Sequence, residues 1–522
     1  MPTPYARASQ AAPPSDCSRV PRTLGSALAV TVLVAVTTFL AFAGIAVGQG
    51  STFRVALEPP AQLDPAFASS DAEIAVLNAV YDYLVDVDGD NEIVPRLARS
   101  WNVSDDGLTY TFELAEGVSF HDGTPLRAED VVWTFDRLRD PELELPTSDL
   151  YAIIESIEAT DDLEVRFTLR EVNPFFLYDL SDNHAVVLRE GTSDAATAFN
   201  GTGPFRVEEY RTGTRMSLSA NPEYFMPGKP GVDELELIFF RDQVAAIDAL
   251  RGRQVDLVLR MPTPLFQSLQ GTPGLEAVSV ATNAFDLVRL RADRGPGADV
   301  RVQQALKLAT DRDAIVQVVT FGLAAPGKDS PIGPLYGEYF ADDLELPPHD
   351  PERARELLTE AGYADGLTLE LHTPDTGDRP TLAVVLADQW AQAGITVDVI
   401  VHPESVYYGD NLWLEVDLGI TGWGSRPVPQ FYLDVMLACD AVWNEAHWCD
   451  PEFDELVRFT RTTLDEAARV EAYHEMQRIL VERGPIIIPY FFPQYGVIAD
   501  TFDGFELKAF PGRSDLAAIH PR

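Results

Sequence analysis

The feature that most constrains this chain is a strand–helix–strand pattern between residues 367 and 401. Leu367, Leu369 and Leu371 alternate with polar residues, which predicts a strand with one buried face. Arg379 to Ala393 then reads as a helix stopped by Gly394. Ile395, Val397, Val399 and Val401 alternate again. A helix of this length between two strands is the unit that builds a parallel sheet by a right-handed crossover. The fold class is therefore α/β.

Residues 97–133 add a second, differently built region. Leu108, Tyr110, Phe112 and Leu114 alternate as a half-buried strand. Asp105-Asp106-Gly107 is a turn before it and His121-Asp122-Gly123-Thr124-Pro125 a turn after it. Ala128 to Arg139 reads as an amphipathic helix. A turn accounts for both His121 and Asp122, so their expected role is structural. Phe53–Leu57 reads as a first strand, followed by a helix from Asp71, its N-cap candidate, to Leu84. Asp299–Phe321 and Arg461–Glu482 each carry one long helical stripe, and Ile486–Phe492 is an apolar run of strand length. Asp350-Pro351 opens another helix as cap and first residue, and Gly362 closes it.

The chain has 522 residues, with 39 basic against 82 acidic side chains and a net charge of −43. Only four of the cations are lysines, at 229, 307, 328 and 508. Such a balance excludes a nucleic-acid partner, which needs a basic surface to neutralise phosphates. The Walker-type phosphate loop, the Gly-x-Ser-x-Gly elbow and a zinc-protease helix are all missing; His474-Glu475 lacks the second histidine. The eight histidines are scattered, so the expectation is no catalytic residue, no metal site and no cofactor.

Arg7, Arg19 and Arg22 precede an uncharged apolar run from Leu24 to Val47, and small residues follow. This is an export signal, and residues 1–50 read as a signal peptide or an uncleaved N-terminal anchor, since about 24 apolar residues suffice to span a bilayer. Cys17 lies before the run. Cys439 and Cys449 then remain, and an even pair in an exported chain reads as a disulfide. Two buried thiols is the alternative; a metal site would lack ligands, with only His447 nearby.

The window LARSWNVSDDGLTYTFELAEGVSFHDGTPLRAEDVVW (97–133) resembles a signature of the extracellular solute-binding proteins of family 5, which feed peptide and nickel ABC importers. Trp101, Asp106, Gly107, Tyr110, Phe112, Leu114, Gly117, Phe120, Asp122, Gly123, Ala128, Asp130 and Val131 carry the likeness. It continues through VRVQQALKLATDRDAIV (300–316), DPERARELLTEAGY (350–363), AGITVDV (393–399) and Trp443-Asn444 to Leu456, so it covers roughly 53–500. The resemblance implies a two-lobed fold of the periplasmic-binding-protein type (class II), with a ligand cleft between the lobes. Lobe I would hold 51–283 plus 489–522 and lobe II 284–488, with crossings near Asn283–Asp286 and Ile488–Tyr490. It also implies a periplasmic or cell-surface receptor, a monomer, that hands a peptide or peptide-like solute to a membrane permease and its ATPase.

Ligand contacts are expected first at Ile420–Pro427. Gly422-Trp423-Gly424 lets backbone approach a ligand, Trp423 offers a flat face, and Arg426 a planar donor fork suited to a carboxylate or phosphate. A core indole and a structural ion pair are the other readings of these two side chains. Peptide-binding members resemble this region but place an Asp where Arg426 stands, to hold the peptide's ammonium group. A cation cannot anchor a cation. Either Asp71, Glu73 or Asp434 takes that role, or the cargo is an amine-free or anionic solute such as an opine or a sugar-type ligand. Trp443, Asn444, Tyr407, Tyr408 and Phe431 complete the expected pocket, with a turn-forming role as the alternative for Asn444. An extracellular enzyme and a sensory or chaperone-like binder on the same fold are the rival functions.

Overall fold

Two seven-stranded sheets organise the molecule, each drawing its strands from a different stretch of chain. In the computed structural model, which describes residues 50–522 except Asp410, the first sheet runs in the order Leu275–Val280, Gln494–Ala499, Leu257–Leu259, Thr52–Leu57, Glu234–Phe239, Arg215–Ala220, Phe205–Arg211. The second runs Ala325–Pro326, Tyr490–Phe491, Phe285–Leu290, Leu418–Trp423, Leu367–Pro374, Ile395–His402, with Ile486–Ile487 also pairing Phe285–Leu290. The strands Leu367–Pro374 and Ile395–His402 are parallel in unbroken register, and helix Arg379–Ala391 joins them as the sequence pattern requires. Its apolar side, Leu382, Leu386 and Trp390, packs on the sheet in one core cluster with Leu369 and Ile395.

The 97–133 region forms a small four-stranded antiparallel sheet of Ala98–Val103, Thr109–Leu114, Glu164–Leu169 and Ile154–Asp161. Tyr110, Phe112 and Leu114 are buried on one face while Glu113 is exposed. Phe112 and Phe167 meet edge to face, and Phe135 of the following helix Ala128–Leu138 closes the same aromatic cluster. His121 bridges the carbonyls of Phe199 and Gly203, and Asp122 accepts from Thr124 and Asn200, so both secure turns.

Five expectations need correction. The first helix is Asp71–Val80, capped by Ser70 and not by Asp71; Ser70 and Glu73 form a reciprocal capping box. The stripe 299–321 is two helices, Val300–Leu308 and Arg312–Val319, because Asp311 caps the second. The stripe 461–482 is likewise split into Pro451–Thr462 and Glu466–Arg483 by the Asp465 cap. The run 486–492 is two short strands separated at Ile488-Pro489. Chain membership changes sheet between Val280 and Phe285 and again between Phe491 and Gln494. The second change falls later than Ile488–Tyr490, because Phe491 still pairs with Phe285 and Ala325.

Candidate functional site

Strand Leu418–Trp423, central in the second sheet, carries the Gly-Trp-Gly segment at its C-terminal end. Its last residue faces Phe285 in register and stacks on that ring, at 6.4 Å between centroids. Trp423 is 8% exposed, and its indole N–H donates to Glu445 at 3.0 Å. Glu445 is itself buried, accepting also from Thr421 (2.6 Å) and from Arg289 Nε (3.3 Å). Burial pushes the Glu445 carboxyl up, against the pull of the Arg289 charge and these bonds. Trp423 is thus a locked wall with one edge left for contact. Trp443 extends that wall outward; it is 38% exposed, 6.0 Å from Trp423 and 6.5 Å from Trp413, which Tyr408 joins at 6.0 Å.

Arg426 follows on the exposed side. Its guanidinium lies 4.5 Å above the Phe431 ring, and its carbonyl accepts from the Tyr336 hydroxyl at 2.8 Å. No carboxylate pairs with it among the described residues, although the chain holds 82 acids. Beside it a cavity of about 330 Å³ is lined from the first-sheet side by Asn91 and Tyr178 and from the second by Tyr336, Pro427 and Val428. Asn91 Nδ2 donates across it to the Pro427 carbonyl at 2.6 Å, and Tyr178 donates to the Asn91 carbonyl at 3.0 Å. Asp90, Glu92, Glu338 and Glu466 stand exposed at its rim. The volume is at the lower end of small-ligand sites.

The carboxylates proposed as replacement anchors are otherwise engaged. Glu73 is buried and accepts from four backbone N–H groups, of Ala61, Gln62, Ser69 and Ser70, at 2.9–3.2 Å. Burial opposes its charge, but these N–H groups outweigh it and hold the carboxyl below its usual value. Asp71 pairs with Arg260 at 2.9 Å and accepts from Gly512 N. Asp434 pairs with Arg461 at 2.7 Å and with the Gln430 amide. Asn444 is also a structural residue: its amide donates to Ala438 O and Trp448 O and accepts from Trp448 N, so it ties the loop that the Cys439–Cys449 bond closes. Tyr407 is fully buried against His402 and donates to His372 O, whereas its neighbour Tyr408 is half-exposed and accepts from Gly422 N. Trp423 pairs with Trp443 and Arg426 with Phe431, and Tyr432 touches Trp423 and Phe431 between the two pairs; Tyr407 and Asn444 are structural, and Asp71 and Glu73 serve the fold elsewhere.

Two groups next to this wall carried little sequence signal. Asp286, buried on strand Phe285–Leu290, accepts from Arg379 Nε (3.0 Å) and from Tyr490 (2.7 Å). The Arg379 guanidinium in turn packs on Gly422, where a Cβ would meet it at 2.0 Å, so a larger residue there would push Arg379 out of place.

The family model for bacterial extracellular solute-binding proteins, family 5, matches residues 92–444. The chain belongs to this family. It is 30% identical to di/tripeptide-binding protein 1 of Pseudomonas aeruginosa over 94% of its own length and 96% of the relative's. Its fold superposes on the ABC transporter substrate-binding protein CtaP of Listeria monocytogenes with a TM-score of 0.80 at 23% identity, covering 90% and 99% of the two chains. The binding protein AgaA of A. tumefaciens R10, solved with agropinic acid, superposes with a TM-score of 0.72 at 23% identity over 90% and 99%. The fold is thus the two-lobed type of this family, and family 5 consists of extracellular solute-binding proteins. Among the described residues no helix is long and apolar enough to cross a membrane; the expected signal or anchor lies in residues 1–49, outside the described residues.

Proposed function

We propose that this family 5 protein captures a peptide or peptide-like solute in the cleft between its lobes and releases it to an ABC permease. Lobe I then comprises about 51–283 plus the C-terminal segment from about 492, and lobe II about 284–491, joined at the two places where the chain changes sheet. The protein acts by binding and not by catalysis, outside the membrane, as a monomer.

One observation carries the reading of the cargo. Arg426 stands unpaired among the described residues of a strongly acidic chain, on an aromatic ring, beside the inter-lobe cavity. An isolated guanidinium there suits a carboxylate or other anionic group of the solute, such as a peptide C-terminus. The di/tripeptide-binding relative supports peptides, and the opine-bound neighbour shows that the fold also accommodates anionic non-peptides. Ligand that touches both lobes favours the closed arrangement by its differential contacts alone.

The test is titration calorimetry of wild type and Arg426→Ala against tripeptides with free and amidated C-termini. A charge-assisted bond contributes ~1.5–3 kcal/mol, so Arg426→Ala should weaken the free-acid peptides at least about tenfold and the amides little. Equal affinity of wild type and variant for the free acids would overturn the role of Arg426.

A further inference from the structure

Cations are scarce in this chain, yet three of them line one small cavity away from the aromatic wall. The cavity holds about 30 Å³ and is faced by Arg96, Lys508 and Arg513, with Asp86 and Asp515 as its carboxylates. Two of the chain's four lysines converge here, since Lys229 pairs with Asp515. Asp515 is thereby neutralised, and it also accepts from Ala517 N at 2.9 Å. Asp86 is left to serve all three lining cations: Arg513 Nη2 binds it directly, while Arg96 Nη1 and Lys508 Nζ stand off at 3.9 Å each. Asp82 takes Arg96 Nε at 2.8 Å. Asp182 also acts on Arg513, but its carboxylate is held by the His184 ring and backbone N–H. Asp82 and Asp86 thus face Arg96, Lys508 and Arg513, two charges against three.

The donors of these cations are not used up. Arg513 gives Nη1 to Ser181 O at 2.6 Å and lies on the Tyr83 ring, but its Nε is buried without a partner. Lys508 gives one N–H to Val87 O at 2.6 Å. Among the described residues the Arg96 side chain makes only its bond to Asp82, which leaves both Nη groups without a hydrogen-bond acceptor. Burial lowers the Lys508 ammonium below its usual value; the Arg513 and Arg96 charges add to this, against the pull of Asp86 and Asp515. A water in the cavity could accept from these donors, but it would leave the surplus positive charge in place. A buried charge without a counter-charge is costly, so an anion suits the space better. The volume admits one or two water-sized occupants and excludes phosphate, sulfate and organic acids.

We propose that this cavity is a halide site, in which one chloride sits among Arg96, Lys508 and Arg513. Lys508 and Arg513 come from the C-terminal segment. Asp86 and Arg96 come from the antiparallel pair Val85–Val87 and Ile93–Pro95 and the residue after it. The halide would therefore pin the end of the chain onto that pair and make its stability depend on chloride.

Two measurements on the purified protein test this. Crystals grown with bromide in place of chloride should show an anomalous difference peak between the Lys508 and Arg513 side chains. Melts in sodium chloride and in sodium gluconate at equal ionic strength share the same screening, and gluconate is too large for the cavity. Chloride at ten times its Kd should raise the melting temperature by about 2–4 °C over gluconate. Lys508→Met keeps the length of the side chain and leaves Asp86 with Arg513 and Arg96, so it should fold, and it should lose at least about half of that chloride response. If the variant fails to fold, the bromide peak in wild type decides alone. A bromide-grown crystal with no anomalous peak in the cavity, equal wild-type melts in the two salts, or a Lys508→Met protein that responds to chloride as wild type does would each overturn the halide site.

Discussion

Replacing Glu73 by Ala should unfold the protein more easily without touching the cleft. The carboxylate collects four backbone N–H groups from the Ala61–Gln62 turn and the Ser69–Ser70 helix entry, all within 3.2 Å. Each buried donor left without an acceptor costs ~1–3 kcal/mol. Ala61 and Ser69 lie at exposed positions where water can replace the lost bond, so about two donors bear the full cost. The expected loss is about 3 kcal/mol, or roughly 6–12 °C if the lobe melts as a unit of ordinary domain size. Calorimetric melts of wild type, Glu73→Ala and Glu73→Gln would measure it; the glutamine should recover part, since its carbonyl still accepts but its amide meets donors. The pH dependence follows from the depressed carboxyl. A group whose folded pKa lies below its unfolded value adds stability above the unfolded value, near 4.5, and loses it as pH falls through the folded one. The gap between wild type and Glu73→Ala should therefore be full at pH 6–7 and narrow as pH falls below 4.5 through the depressed folded value. A Glu73→Ala protein that melts within about 1 °C of wild type, or that melts normally but loses ligand, would refute the reasoning.

Three further outcomes are expected. Burial raises the Asp179 carboxyl to about 8 despite its bond from Asn173, so its stability contribution is full below pH 3.8 and lost as pH rises to 8; Asp179→Asn should melt higher than wild type at pH 8, by at least about 1 kcal/mol, and equal to it near pH 4. Arg289→Met should cost ~3–5 kcal/mol in chemical denaturation by stranding buried Glu445, with much of it regained when Glu445→Gln is added. Peptide mapping without reductant should recover Cys439 linked to Cys449, a cross-link that contributes ~2–3 kcal/mol through a ten-residue separation.

Alternation and turn chemistry made the sheets legible: Tyr110, Phe112 and Leu114, and the paired runs 367–371 and 395–401, fall where their period places them. The helix breaks were missed because Asp311 and Asp465 interrupt apolar periods that continue beyond them, and a capping aspartate inside a stripe looks like any polar position. Glu73 had a readable signal, since Ser70-x-x-Glu73 is a capping-box pattern; its ordinary meaning should have outweighed a ligand role. Asn444 had none, because a turn asparagine and a ligand asparagine share the same sequence.

The most direct measurement is a melting-temperature screen of the purified protein against di- to pentapeptides, opines, oligosaccharides, polyamines and nickel. A ligand stabilises the folded state in proportion to ln(1 + [L]/Kd), so micromolar binders register clearly at millimolar dose. Peptides carrying both free termini should raise the melting temperature most, and that rise should fall away in Arg426→Ala. A shift with oligosaccharides or nickel and none with any peptide or acidic peptide-like solute would contradict the account.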